Sequence, residues 1–215
     1  MSIAFFDMDK TLLKVSSGTE YVKWLAFRGK VSPRELLATL RVSIHYKRGI
    51  LDFPAAMARM GQSVRGGSAT ATTLLSQQFF DTHLVRGVAP IAVIRVRKHQ
   101  DAGDLVYILT ASMQFAAETV AHHLGIPYRC TTLEIVDDKI TGNVTGPACF
   151  GTGKIYWATA VCAEHGLTLA DATFYSDSIS DLPLLEKVGK PIVVNPDRKL
   201  RKEAQSRGWP IELFY

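Results

Sequence analysis

The sequence predicts an open α/β sheet with parallel strands and helices on both faces, interrupted after its first strand by a helical insertion. Three patterns carry that expectation. An apolar run without helical period opens the chain at residues 3–7, and short apolar runs alternate with helix-length segments after Gly87. Between them, from about residue 18 to 85, apolar residues instead recur every three or four positions.

Residues 3–7, ending Phe5-Phe6-Asp7, read as a short buried strand. Tyr21, Trp24 and Leu25, then Leu36, Leu37, Leu40 and Ile44, mark apolar helix faces. Ser32-Pro33 followed by Glu35 is a helix start with proline in the first turn. Gly49, Pro54, Gly61 and Gly66-Gly67 cut the rest of the insertion into short helices. Beyond Gly87 the expected strands are 105–109, 128–132, 173–176 and 192–195, with helices at 113–124 and 154–165. Strands separated by helices of this length pair in parallel through right-handed crossovers. Residues 133–144, with Asp137-Asp138 between two β-prone pieces, read as a small hairpin appended to the sheet. The expected organisation is a core of residues 1–14 and 86–215 with a helical domain at 15–85.

With 215 residues, 47% hydrophobic and 21% charged, the chain has the composition of an ordinary globular protein and not of a disordered one. No apolar stretch approaches the roughly 20 residues of a membrane span. The first residues lack the basic segment and cleavage site of a signal peptide. Cys130, Cys149 and Cys162 are odd in number and show no paired metal-ligand spacing, so neither a disulfide framework nor a zinc site is expected, and a reduced, cytoplasmic location fits. The net charge of +5 is local: residues 23–65 hold nine basic side chains against Glu35 and Asp52. A solvated helix face is the plain account of that stretch; peripheral contact with an anionic surface or substrate is the functional one. Without a basic motif interleaved with aromatics, no nucleic-acid partner is expected.

In open α/β sheets, ligands bind beyond the carboxyl ends of the strands where strand order reverses. Polar clusters sit at those ends here. The first strand runs into Asp7-Met8-Asp9-Lys10-Thr11, the second into Thr110-Ala111-Ser112, and a later one into Ser176-Asp177-Ser178-Ile179-Ser180-Asp181. Gly151-Thr152-Gly153-Lys154 adds a lysine at a helix start. Such a set suits phosphoryl transfer. A phosphate dianion needs donors, supplied by a helix N-terminus, the Thr110 hydroxyl and the Lys154 ammonium. A carboxylate nucleophile reaches that dianion only if repulsion is cancelled, which calls for Mg²⁺ on hard oxygen ligands such as Asp7 and Asp177. Asp9, two residues on, is then placed for proton transfer at the leaving group.

Asp-x-Asp-x-Thr at 7–11, Thr110, Lys154 and Asp-Ser-x-x-Asp at 177–181 resemble the four ordered motifs of the haloacid dehalogenase superfamily. The insertion resembles its C1 cap. Thr141-Gly142-Asn143-Val144-Thr145-Gly146, the stretch 177–185 and the tail segments Val194-Asn195-Pro196-Asp197 and Gly208-Trp209-Pro210-Ile211 resemble the subfamily IB enzymes related to phosphoserine phosphatase. The resemblance implies a Rossmann-like core and a Mg²⁺-dependent phosphomonoesterase working on a small-molecule phosphate. It implies Asp7 as the nucleophile that becomes an aspartyl phosphate and Asp9 as general acid and then base. Thr110 and Lys154 would hold the phosphoryl oxygens, with Thr11, Ala111 and Ser112 beside them. Asp177 would bind metal with Asp7 and the main-chain carbonyl of Asp9, and Asp181 would orient Lys154 or a metal-bound water. Lys10 departs from the glycine or small residue common at its position, which puts the local loop geometry in question.

Each motif alone has a plainer reading: solvated acids at a strand end for Asp7 and Asp9, a helix cap for Thr110 and Ser112, a surface lysine for Lys154, a loop and cap for Asp177 and Asp181. Their order and convergence decide against it. The six histidines are isolated from these motifs and no catalytic role is expected of them. The leaving group is set by the insertion. Phosphoserine phosphatases use an acidic cap residue soon after the first motif, and Glu20 comes later than that pattern asks. Glu20 as receiver of a substrate amine, as in phosphoserine or histidinol phosphate, stays open beside a lipid-like phosphomonoester, a phosphotransferase and a non-catalytic phosphate-binding domain.

Overall fold

A computed structural model describes residues 2–32, 34, 37–38, 41–42 and 52–215. Seven strands form one sheet in the order β4-β3-β2-β1-β5-β6-β7. They are β1 (Ile3–Phe6), β2 (Leu105–Met113), β3 (Tyr128–Val136), β4 (Lys139–Thr145), β5 (Ala172–Ser176), β6 (Lys190–Val194) and β7 (Ile211–Glu212). All neighbours are parallel except β3 and β4. The chain builds outward from β1 to β4 on one side, then returns to lay β5 to β7 on the other. Strand order thus reverses at β1, as expected for a ligand site at its carboxyl end.

β1 is buried along its whole length and alternates between two apolar layers. Ala4 and Phe6 face a layer that includes Leu12, Phe79, Phe80, Val96, Val120 and Phe214. Ile3 and Phe5 face another with Ala158, Val161, Phe174, Leu184 and Leu200. A strand covered on both faces has no polar side to show, which is why its sequence is a continuous apolar run.

The described helices are α1 (Ser17–Phe27), α2 (Phe53–Ser63), α3 (Ala69–Thr82), α4 (Pro90–Asp101), α5 (Gln114–Leu124), α6 (Thr152–Glu164), α7 (Leu182–Leu185) and α8 (Arg198–Arg207). Caps set several starts: Asp52 accepts from Ala55 N–H and Ser68 from Ala71 N–H. Within the insertion, α2 packs on β4 and α3 on α5. Trp24 of α1 is buried with Tyr21 and Leu25 against the first layer, as its spacing predicts. Pro33, Glu35, Leu36, Leu40 and Ile44, with Lys47, Arg48 and Gly49, lie outside the described residues; Leu37 is described and exposed. Among the described residues no helix is long and apolar enough to cross a membrane.

Two expectations change. The second strand does not stop before Thr110: β2 continues to Met113, and the helix begins at Gln114. Between Leu109 opposite Arg129 and Met113 opposite Thr131 the register shifts, so β2 carries extra residues there. Thr110, Ala111 and Ser112 therefore sit in a bulge and not in a helix cap, a device that re-aims side chains beside active sites. The hairpin around Asp137-Asp138 is present as expected, but the strand at 128–132 does not end before it: β3 runs unbroken from the sheet into its first arm. Both turn residues have positive φ, 47° and 63°, matching the twist of the paired strands.

Candidate active site

Register brings the sequence motifs to one rim. Phe6 is level with Ile108 on one side and Tyr175 on the other, so Asp7, the 109–112 bulge and Ser176-Asp177 emerge together. Asp7 N–H donates to the Tyr175 carbonyl at 2.9 Å, extending the ladder by one bond before the chain turns. Lys10 takes φ 58°, a left-handed conformation that disfavours most side chains, and its N–H donates to the Val15 carbonyl. The backbone thus accepts a lysine where glycine is the easier residue.

Lys154 reaches the rim from the first turn of α6. Gly153 permits this: a Cβ there would lie 1.9 Å from the Ala148 carbonyl oxygen, so only glycine lets the helix start this close to the preceding loop. Lys154 Nζ donates to Asp7 Oδ1 and to Asp181 Oδ2, each at 2.7 Å. The Ser176 hydroxyl also donates to Asp181 Oδ2, at 2.6 Å. All of these groups are buried.

Asp9 turns the other way. Its Oδ1 accepts from Ser17 N–H at 2.7 Å, at the start of α1, and its Oδ2 from the Ser112 hydroxyl at 3.0 Å. The Thr110 hydroxyl in turn accepts from Ser112 N–H. The two carboxylates of the first motif therefore have separate partners. Thr11 is fully buried, and its hydroxyl has no hydrogen-bond partner among the described residues. Glu20 is bound to Lys23 at 2.7 Å and to His83 at 3.2 Å. Burial raises its pKa, but those two partners outweigh burial and hold it below the ordinary value.

Electrostatics separate the acids further. Burial pushes Asp7 up to about 7; Lys154 counteracts this, while Asp181 and Asp9 add to it. Burial also raises Asp9 against the hydrogen bonds from Ser17 and Ser112. Asp177 is raised well above the ordinary range by burial and by the charge of Asp7, with Lys10 and Lys154 opposing. Burial disfavours the charge on Lys154, yet Asp181 and Asp7 more than restore it, so the ammonium stays charged. One buried cation thus serves three buried carboxylates.

That imbalance is what a divalent cation corrects. Asp7 and Asp177 are hard oxygen donors whose buried charges repel each other, and Asp177 forms no ion pair among the described residues. No group of three or more His, Cys, Asp or Glu side chains suited to a metal exists among the described residues. The two carboxylates Asp7 and Asp177 match in number the one or two that a Mg²⁺ site takes from protein while keeping several waters.

Sequence reasoning assigned no role to Ser17, the partner of Asp9, and placed Ser176 in the strand-end cluster without giving it the role of holding Asp181; both roles come from tertiary placement. The three cysteines are free and buried.

Residues 4–186 match the family described as haloacid dehalogenase-like hydrolase. The chain belongs to that family. This hydrolase is 32% identical over 216 residues to phosphoserine phosphatase SerB1 of Mycobacterium tuberculosis (strain ATCC 25618 / H37Rv), covering 98% of this chain and 70% of that protein. It is 32% identical over 219 residues to a histidinol-phosphatase of Neisseria meningitidis serogroup C (strain 8013), covering 99% of each. A crystal structure of a protein of unknown function from Bordetella pertussis Tohama I matches with a TM-score of 0.89 at 32% identity, covering 99% of this hydrolase and 98% of that chain.

Proposed function

We propose that this hydrolase is a Mg²⁺-dependent phosphomonoesterase that works through an aspartyl phosphate on Asp7. The observation that carries the reading is Lys154 held between Asp7 and Asp181 with the Asp177 carboxylate on the same rim. Asp7 and Asp177, with the Asp9 main-chain carbonyl, would hold the metal, which supplies the positive charge that lets a carboxylate approach a phosphate dianion.

The Asp7 carboxylate attacks phosphorus and the ester P–O bond breaks. Asp9 donates a proton to the departing alkoxide, leaving the free alcohol. Asp9 then takes a proton from water as the water oxygen attacks the aspartyl phosphate, releasing inorganic phosphate and restoring Asp7. Ser112 and the Ser17 N–H hold Asp9 in a fixed pose for both transfers. Lys154 and Thr110 hold phosphoryl oxygens, with the Ala111 and Ser112 segment of the bulge beside them, while Asp181 keeps Lys154 in place. The block at 15–85 serves as the cap that selects the leaving group.

The names of the two relatives support a small amine-bearing alcohol as leaving group, since phosphoserine and histidinol phosphate are both phosphomonoesters of amino alcohols. Glu20 carries the negative charge to attract an amine, but Lys23 and His83 already share it. The test is phosphate release from p-nitrophenyl phosphate, phosphoserine, histidinol phosphate and a lipid phosphate, with and without Mg²⁺. Turnover that disappears in Asp7→Asn and on chelation supports the reading. Turnover that survives either change overturns it.

A further inference from the structure

The turn Asn195-Pro196-Asp197 follows β6 and is linked to both acidic loops of the site, to the second directly through Asp197 and to the first by way of Tyr215. Asp197 holds the second. Its N–H donates to the Asp177 carbonyl at 2.8 Å, and its Oδ2 accepts from Ile179 N–H at 2.8 Å. Its Oδ1 caps α8, accepting from Lys199 and Leu200 N–H at 2.8 and 2.9 Å. One carboxylate therefore fastens the 177–179 loop to the end of a helix.

Asn195 reaches the first loop through the end of the chain. Its side-chain oxygen accepts from Phe214 N–H at 2.8 Å and its amide donates to the Tyr215 carbonyl at 3.0 Å. Phe214 is buried in the first apolar layer, which anchors the tail. The Tyr215 hydroxyl donates to the Lys10 carbonyl at 3.0 Å. Lys10 is the residue in the left-handed conformation between Asp9 and Thr11, so the tyrosine holds the turn at its most strained point.

We propose that Asp197 and Tyr215 are positioning residues that set the separation of the Asp177 and Asp7–Asp9 loops, and thereby the affinity of the site for Mg²⁺. The inference rests on the metal reading above. Neither residue touches substrate or metal in this scheme; each acts through backbone groups of the loop it holds. Groups that orient ligands in this way typically change metal affinity about 10–100-fold when removed.

Mg²⁺ binding to the substrate-free protein, followed by titration calorimetry, tests it without any turnover. Asp197→Asn is the informative change because asparagine caps helices as well as aspartate does, while its amide presents a donor to Ile179 N–H. The helix is kept and the loop contact is lost. The expected result is a dissociation constant for Mg²⁺ raised about tenfold or more, with little change in the metal-free melting temperature. Tyr215→Phe, at a half-exposed residue, should also weaken Mg²⁺, and it decides the question should Asp197→Asn fail to fold. Adding Lys10→Gly to Tyr215→Phe should recover part of the loss, because glycine takes positive φ without strain. Wild-type affinity in both single variants, with binding lost in Asp177→Asn, overturns the inference and leaves the metal reading intact. Absence of Mg²⁺ binding by the wild-type protein overturns both.

Discussion

The Lys154 ammonium meets the Asp7 carboxylate at 2.7 Å with both groups buried, so the proposed nucleophile is tied to a cation before any substrate arrives. The same nitrogen holds Asp181, so two buried carboxylates are paired with this one charge. Replacing it by an apolar chain of similar length leaves those acids without a counter-charge. Lys154→Met should therefore lower stability by about 3 kcal/mol, the lower end of what breaking a buried ion pair costs, since protonation relieves part of the repulsion. Asp7→Asn removes one of the repelling charges and should leave stability unchanged or higher. Urea unfolding of the metal-free proteins near neutral pH distinguishes the two. Equal midpoints for Lys154→Met and the wild type would show that the triad is not held as described.

The seam between α2 and β4 makes a second prediction. A Cβ on Gly61 would lie 2.5 Å from the Gly142 carbonyl oxygen and 3.0 Å from Leu133 Cδ2, and Gln62 next to it donates to that same carbonyl. Gly61→Ala in a helix would gain about 1 kcal/mol from reduced backbone freedom, but forcing a methyl into a packed backbone contact costs about 1–3 kcal/mol. Backbone cannot rotate away as a side chain does, so the clash wins. We expect net destabilisation, and a lowered urea midpoint is the check. A midpoint raised above wild type would mean that the helix and hairpin can separate at no cost.

What was legible in the sequence depended on how local its cause is. Asp7 and Asp9 could be read because two acids ending an apolar run have no packing purpose, and the strand itself because both its faces are covered. The position of Thr110 could not be read correctly. Its bulge is set by how β2 pairs with β3, with Leu109 opposite Arg129 and Met113 opposite Thr131, and nothing between residues 105 and 113 records that shift. β7 is two residues long and leaves no periodic trace. Asn195, Pro196 and Asp197 stood out as part of a resemblance, but their link to Asp177 and, through Tyr215, to Lys10 exists only after the sheet has formed.

Buried thiols give a third prediction. Cys130, Cys149 and Cys162 are each at most 4% exposed, and burial raises the thiols of Cys130 and Cys162 to about 11. The thiolate is the reactive form, so both access and ionisation oppose modification. An aromatic disulfide reagent at mildly alkaline pH should label none of the three in the native protein and all three in urea. Rapid labelling of even one thiol under native conditions would contradict the packing of these residues.

Acid stability should depend on the hairpin turn. Asp138 accepts hydrogen bonds from the Ser68 hydroxyl and from the N–H and hydroxyl of Thr70, fastening the β3–β4 turn to the first turn of α3. Those bonds favour the carboxylate and depress its pKa from 3.8 to about 2. The folded value lies below the unfolded one, so the unfolded chain binds the proton first as pH falls. The contribution of Asp138 is therefore complete above the ordinary carboxylate value, declines through the interval down to about 2, and is absent below it. Asp138→Asn keeps the shape and removes the charge. The gap in urea midpoint between the variant and the wild type should be widest at neutral pH and narrow steadily as pH falls below the ordinary carboxylate value. A gap of constant width across that interval would place the stabilisation in the shape of the turn and not in the charge on Asp138.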